Sequence, residues 1–262
     1  MDKKIIESNR NAWNQAFGYH KKARNNSPQR NFADPEFTTF NKSPGDQIVL
    51  GKIKALDLKG KAVAHVQTNN GRELLSLMRV SGAEQGIGFD ISDDAISEAR
   101  ELAEIAKVNA QFECVNIFEI SEKYNNYFDF IYITEGSLSW LPNVAEYFKV
   151  MNRLLKKGGQ ILISEIHPVG FVFDTDPIVN YDGGQGPYKH LTSLDYVGGV
   201  EYTPDGCFWY MHTVSDIVMA VLNNGFEIHQ FDESCHDTGW IDAKNNFTRF
   251  PRSFTMLCKK SC

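Results

Sequence analysis

The chain has 262 residues, room for one large α/β domain with additions, and its 42% apolar and 23% charged residues are ordinary for a globular protein. A formal net charge of −6 argues against a dedicated nucleic-acid binder, which needs a basic surface. No stretch approaches the roughly 18 apolar residues of a membrane span, and the N-terminus MDKKIIESNRNAW lacks an apolar signal core, so a soluble, cytoplasmic protein with no membrane partner is expected.

The first thirty residues place Ile5/Ile6, Trp13 and Ala16/Phe17 at helical spacing, which predicts an amphipathic helix laid on the core. The same stretch carries Lys3, Lys4, Arg10, Lys21, Lys22, Arg24 and Arg30 against only Asp2 and Glu7. That bias reads first as a solvated helix face and second as a positive lip for an anionic substrate.

From residue 60 to 168 short apolar runs alternate with helical patterns. Ala62 to Val66 predicts a strand, followed by a polar loop ending at Gly71 and a helix with Leu74, Leu75, Met78 and Val80 on its inner face. Gly86 to Asp90 predicts a second strand, and Ser92 caps a helix whose stripe is Ala95/Ile96, Ala99, Leu102/Ala103 and Ala106. Phe112 to Val115 and Phe128 to Ile133 are the next strands. A helix with Val144, Tyr147/Phe148, Met151 and Leu154/Leu155 is expected to stop at Gly158-Gly159, before a fifth strand from Gln160 to Ile166. Strict alternation implies right-handed βαβ units and a parallel sheet covered on both faces.

The rhythm breaks between residues 169 and 211, a Gly-, Pro-, Asp- and aromatic-rich stretch. There TPDG at Thr203 to Gly206 predicts a hairpin between Val200/Tyr202 and Phe208/Tyr210. So long a segment between core elements is usually functional, and residues 1–40 and 169–211 are expected to roof a pocket together. Thr213 and Asp216 then form a capping-box signal for a helix closed by Gly225, and Phe226 to Phe231 and Ser253 to Lys259 read as two last strands. The whole chain reads as one domain: a cap segment at 1–58, a core at 59–168, an insertion at 169–212, and a helix with two strands at 213–262.

In an open α/β sheet, ligands bind beyond the carboxyl ends of the strands, where the strand order reverses. After the first strand stand Gln67, Thr68, Asn69 and Asn70, then Gly71, which would let the backbone approach a ligand at a helix N-terminus. Strand two ends at Asp90, with Ile91 next; an ionised carboxylate there can accept both hydroxyl protons of a ribose. Asn116 can bond an adenine edge while Ile117 packs on the ring. Thr134 and Glu135 follow strand four, and His167 follows strand five. Jointly these strand ends point to a nucleoside-type ligand.

Glu135 either faces cofactor or substrate or caps a neighbouring element. His167 and His212 flank the insertion, and either could accept a substrate proton, although a histidine among aromatics is more often structural. Trp13, Trp140, Trp209 and Tyr210 could wall a pocket for a flat or cationic substrate. The five cysteines (Cys114, Cys207, Cys235, Cys258, Cys262) are scattered and odd in number, as expected for reduced thiols. Cys235-His236-Asp237, even joined by Cys207 and His212, matches no common zinc spacing, so no metal is expected.

Three pieces resemble the class I S-adenosylmethionine-dependent methyltransferases. AVAHVQTNNGRELLSL is similar to the first motif of one subgroup, with Thr68 where cysteine stands. GIGFDIS is similar to the second motif, whose acid holds the ribose, and FDFIYITEGSLSWLPN followed by LLKKGGQILISEIHP to the fourth and fifth strands. The chain departs from the common E/D-x-G-x-G-x-G loop by keeping only Gly71, and has Asn116 where Asp is frequent. The resemblance implies a Rossmann-like, doubly wound, mostly parallel seven-stranded sheet with an antiparallel last strand, an N-terminal helical cap and an inserted lid. It implies S-adenosylmethionine as cofactor and in-line methyl transfer to a small molecule. A non-catalytic cofactor-binding protein is the alternative, motivated by the irregular loop. A nicotinamide enzyme would need G-x-G-x-x-G after strand one, which QTNNGR does not supply.

Overall fold

A computed structural model describes residues 2–40, 43–174, 180–183, 185–190, 194, 197, 206–236 and 250–261. Helix α1 (Lys3–Arg24) buries Ala12, Ala16, Phe17, His20 and Arg24. Lys3, Lys4, Lys21, Lys22 and Arg30 are exposed, and Arg10 pairs with Asp93, so most of the basic bias is a solvated helix face. Arg24 is the exception at 8% exposure. Helices α2 (Ser27–Phe32) and α3 (Pro44–Lys54) follow, the latter opened by a Ser43/Asp46 capping box.

The core alternates as the apolar spacing demands: β1 (Ala62–Val66), α4 (Arg72–Ser81), β2 (Gln85–Asp90), α5 (Asp93–Ala106), β3 (Ala110–Cys114), β4 (Phe128–Ile133), α6 (Val144–Leu154) and β5 (Leu155–Ile166). After a four-residue helix α7 (Phe171–Asp174), strands β6 (Gln185–Lys189) and β7 (Phe208–Met211) pair as a small separate ribbon. Helix α8 (Val214–Asn223), with the expected Thr213/Asp216 capping box, leads to β8 (Phe226–Ser234) and β9 (Ser253–Lys260).

The seven-stranded sheet runs β3-β2-β1-β4-β5-β9-β8. The first five strands are parallel, and β9 lies antiparallel to both β5 and β8. Side chains alternate across it: Ala64 and Val66 pack toward α6 and α8, while Val63 joins α3, α4 and α5. That order places the reversal between β1 and β4, with the crevice at their carboxyl ends.

Two expectations are corrected. Gly158-Gly159 does not end α6. The helix stops at Leu154, Leu155 is already extended, and both glycines lie inside β5 where its register with β4 shifts. Gly158 sits at φ +72, a left-handed residue within a bulge rather than a helix cap. Strand β3 starts at Ala110 and ends two residues before Asn116, which instead caps a 3-10 turn. Strand β7 pairs with β6, some twenty residues upstream. The expected TPDG hairpin lies, apart from Gly206, outside the described residues.

Candidate active site

The loop after β1 is wound by three residues in the left-handed region, Gln67 (φ +54), Asn69 (φ +51) and Gly71 (φ +75). The non-glycine pair costs about 1 kcal/mol or more each, a strain typical of functional loops. Hydrogen bonds hold the turn: Thr68 N donates to Phe89 O at 2.9 Å, and Gln67 Nε2 reaches Ser137 O at 2.9 Å. Asn69 N donates to Asp90 Oδ2 at 2.7 Å, and Ser92 N to Asp90 Oδ1 at 2.9 Å. Loop and carboxylate therefore meet at one rim of the sheet. The Ile91 amide also pulls on the carboxylate, whose two oxygens together have room for a further donor. Burial pushes the Asp90 pKa up, against the pull of the Ser92, Asn69 and Ile91 amides.

Beside them opens a cavity of about 700 Å³, within the range for small-molecule sites. It gathers the expected Gln67, Thr68, Asn69, Asp90, Ile91, Asn116, Ile117, Thr134 and Glu135, together with Trp13, Trp140 and Tyr210. Trp13 and Trp140 meet edge to face at 5.1 Å, joining α1 to the loop after β4. Helix α1 supplies much of the roof, with Val197 and Tyr210 from the insertion. The Asn116 side-chain oxygen accepts from Phe118 N, which leaves its NH2 group to serve an acceptor.

Four predicted residues do not line the cavity, and one of them, Trp209, packs instead against Phe171 and Tyr188. His167 bonds Glu233 Oε1 through Nε2 at 2.8 Å and accepts from Val169 N through Nδ1. His212 donates Nε2–H to Leu141 O at 2.7 Å. Burial lowers the pKa of both, and neither lies on the cavity wall. Gly71 is needed for a different close approach: a Cβ there would sit 2.5 Å from two ring carbons of Phe112 and 3.1 Å from Ala99. Gly88 meets the same ring at 2.5 Å, so the two glycines form the notch that seats Phe112. Gly71→Ala adds a left-handed penalty of about 1–2 kcal/mol and an overpacking cost of about 1–3 kcal/mol. We expect a loss of about 2–5 kcal/mol in chemical denaturation; less than 1 kcal/mol would contradict the notch.

Other lining residues escaped the sequence reading. His65, 1% exposed, bridges Thr68 Oγ1 (3.0 Å from Nδ1) and Thr134 Oγ1 (3.1 Å from Nε2). It stacks on Tyr132, and burial pushes its pKa down to about 4, so it stays neutral. Glu73, Asp46, Tyr132, Ser164, His20 and Arg24 line the same space. Glu73 was visible in the N-N-G-R-E loop, but Tyr132 and Ser164 lay inside strands that read as core. Burial pushes Glu135 up to about 8, with Glu165, Glu73 and Asp46 adding repulsion.

A family model described as a methyltransferase domain matches residues 58–190. No curated protein matches the chain. Among solved structures, an S-adenosylmethionine-dependent methyltransferase from Mesorhizobium loti is 17% identical, with a TM-score of 0.60 over 82% of this chain and 98% of that one. One from Methanosarcina mazei is 19% identical, with a TM-score of 0.58 over 81% and 97%. The geranyl diphosphate C-methyltransferase of Streptomyces coelicolor is 11% identical, with a TM-score of 0.57 over 82% and 79%. At such identities the likeness is one of fold. The family match spans just over half of the residues and makes the chain a member of the methyltransferase-domain family.

Proposed function

We propose that this protein transfers the methyl group of S-adenosylmethionine to a small-molecule acceptor. The observation that carries the reading is the Asp90 carboxylate, bonded to the Asn69 amide at 2.7 Å and open to a cavity large enough for cofactor and acceptor together. The residues present fit the cofactor. Asp90 can accept from ribose hydroxyls, Asn116 can donate to an adenine edge, and Ile91 and Ile117 give the ring apolar walls. Gln67 Oε1 is buried without a hydrogen-bond partner, an acceptor suited to the ammonium of the cofactor's amino-acid tail.

The cofactor supplies a methyl group already activated on a sulfonium, with a neutral thioether as leaving group. The chain's share is alignment and exclusion of water. Asp90 and Asn116 fix one end of the ligand. Trp13, Trp140 and Tyr210 cover the cavity and hold the acceptor against the methyl group. Such positioning lowers a barrier by about 7–11 kcal/mol when the reacting atoms are held near contact. Glu135 is the group placed to take a proton from an acceptor that arrives protonated. The unusual first loop, which motivates a non-catalytic reading, is fully wound and hydrogen-bonded, and the cavity continues past it.

Calorimetry with S-adenosylmethionine and S-adenosylhomocysteine tests the reading. Both are expected to bind at sub-millimolar concentration, and binding of neither would end it. Asp90→Ala is expected to weaken cofactor binding at least tenfold, about 1.4 kcal/mol or more. Unchanged affinity would remove the ribose assignment.

A further inference from the structure

The cofactor residues hang on one side of the strand-order reversal: Asp90 ends β2 and Asn116 follows β3. The same cavity also has a wall on the other side, built from Tyr132 and Glu135 of β4 and its loop, Ser164 of β5, Glu73 in the first turn of α4 and Asp46 in the first turn of α3. The chemistry of that wall is one-sided. Glu73 has no cation closer among the described residues than Arg72, at 4.0 Å. Among the described residues, the Glu135 carboxylate accepts only from its own backbone amide. The hydroxyls of Tyr132 and Ser164, residues 3% and 1% exposed, face the cavity and make no hydrogen bond to any described residue. Buried polar groups of this kind require a partner, and a site of one loosely paired carboxylate, one open carboxylate and two open hydroxyls is completed by a group rich in donors.

We propose that this wall anchors the acceptor molecule through a protonated amine, held by Glu73 and Glu135 with Tyr132 and Ser164 completing its hydrogen bonds. An ammonium presents three donors and no acceptor, which matches carboxylates that only accept. The rings of Tyr132 and Phe40, centroids 6.4 Å apart, add faces that attract a cation. Two cations, Arg72 and Arg24, share the cavity lining and pull the Glu73 pKa down, yet neither closes a short ion pair with it among the described residues. Arg72 Nε bonds Asn70 Oδ1 at 3.0 Å, Arg24 lies over the Phe17 ring, and His20 Nε2 meets Leu194 O. His65 is neutral. The acids facing Glu135 are Glu73 of α4, Asp46 of α3 and Glu165 of β5, and an arriving cation relieves their mutual repulsion. Binding is therefore coupled to proton release from Glu135, and affinity climbs as pH approaches about 8.

That the anchored molecule is the methyl acceptor rests on the methyl-transfer reading; the amine site does not. The test is calorimetry on protein saturated with S-adenosylhomocysteine, titrated with 2-phenylethylamine, 2-phenylethanol and 3-phenylpropionate. The amine is expected to bind saturably, with the alcohol and the acid at least tenfold weaker. Its affinity is expected to rise severalfold from about pH 6 to about pH 8, with buffer-dependent heats that report the released proton. The isosteric double variant Glu73→Gln/Glu135→Gln is expected to lose amine affinity at least tenfold while holding S-adenosylhomocysteine within twofold. No saturable amine binding, equal or tighter binding of the acid, or an unchanged double variant would overturn the proposal. Loss of S-adenosylhomocysteine by the double variant would overturn it too, by assigning the carboxylates to the cofactor. If the wild-type protein does not bind S-adenosylhomocysteine, the methyl-transfer reading fails, and the same titrations on the free protein decide the amine site by the same outcomes.

Discussion

Glu165→Gln is expected to lower the melting temperature by about 6–12 °C and to reduce turnover at least tenfold. The residue is 4% exposed, and its carboxylate accepts four backbone amides: Gly136, Ser137 and Leu138 of the loop after β4, and its own neighbour Ile166. The bonds to Ser137 N and Leu138 N are both 2.9 Å. Glutamine keeps the shape but replaces one acceptor oxygen with an NH2 group, so donor faces donor where two of those amides converge. Each buried donor left unmet costs about 1–3 kcal/mol, so a loss of about 3 kcal/mol is expected, and each kcal/mol moves the melting temperature of a chain this size by about 2–4 °C. Turnover suffers because the clamped loop begins next to Glu135 and bonds Gln67 through Ser137 O. Glu165 does not line the cavity; it positions the loop residues that do. Melting by circular dichroism and steady-state kinetics check both halves. A shift below 2 °C with unchanged turnover would show that the loop holds itself.

What the sequence could reveal follows from the range of the interactions concerned. The Ser92 cap and the Thr213/Asp216 box act within three residues, and the alternation that placed β1, β2 and β4 is equally local. Asp90 was legible because a strand end followed by a helix cap fixes where its side chain points. The Gly158-Gly159 pair misled because glycine serves a bulge as readily as a helix stop, and only pairing with β4 decides between them. His167 and His212 misled because their partners, Glu233 and Leu141, are 66 and 71 residues away. Glu165 stood out only as a polar strand end, since its partners are backbone amides 27 to 29 residues earlier and amides leave no mark in side-chain chemistry. The acid wall was hidden for a related reason. Glu73, Glu135 and Asp46 lie on three separate elements, and only the stacking of α3 and α4 on the sheet makes them neighbours.

The same wall predicts a pH-dependent gain from Glu135→Gln. Burial and the neighbouring acids push Glu135 from 4.5 up to about 8, so between those values the folded protein holds a proton that the unfolded chain has released. Stability tied to this group is complete below about pH 4.5 and is lost as pH rises through about 8. Glutamine cannot ionise and escapes that loss. At 1.36 kcal/mol per pH unit the window from 4.5 to 8 sets an upper bound of about 5 kcal/mol. The partly exposed, cavity-facing carboxylate is screened by solvent, which brings the expected gain nearer 2 kcal/mol. The variant is thus expected to melt with the wild type near pH 5 and about 4–8 °C above it at pH 9. Glu165, which burial pushes up to about 7, titrates in both proteins, so the difference between the two melting curves reports Glu135 together with its repulsion from Glu165. An offset constant across that pH range would show that Glu135 is not held above its ordinary pKa. A gain confined to alkaline pH, accompanied by lost amine affinity, would mean that the native carboxylate is kept at a cost to the fold because it serves the ligand.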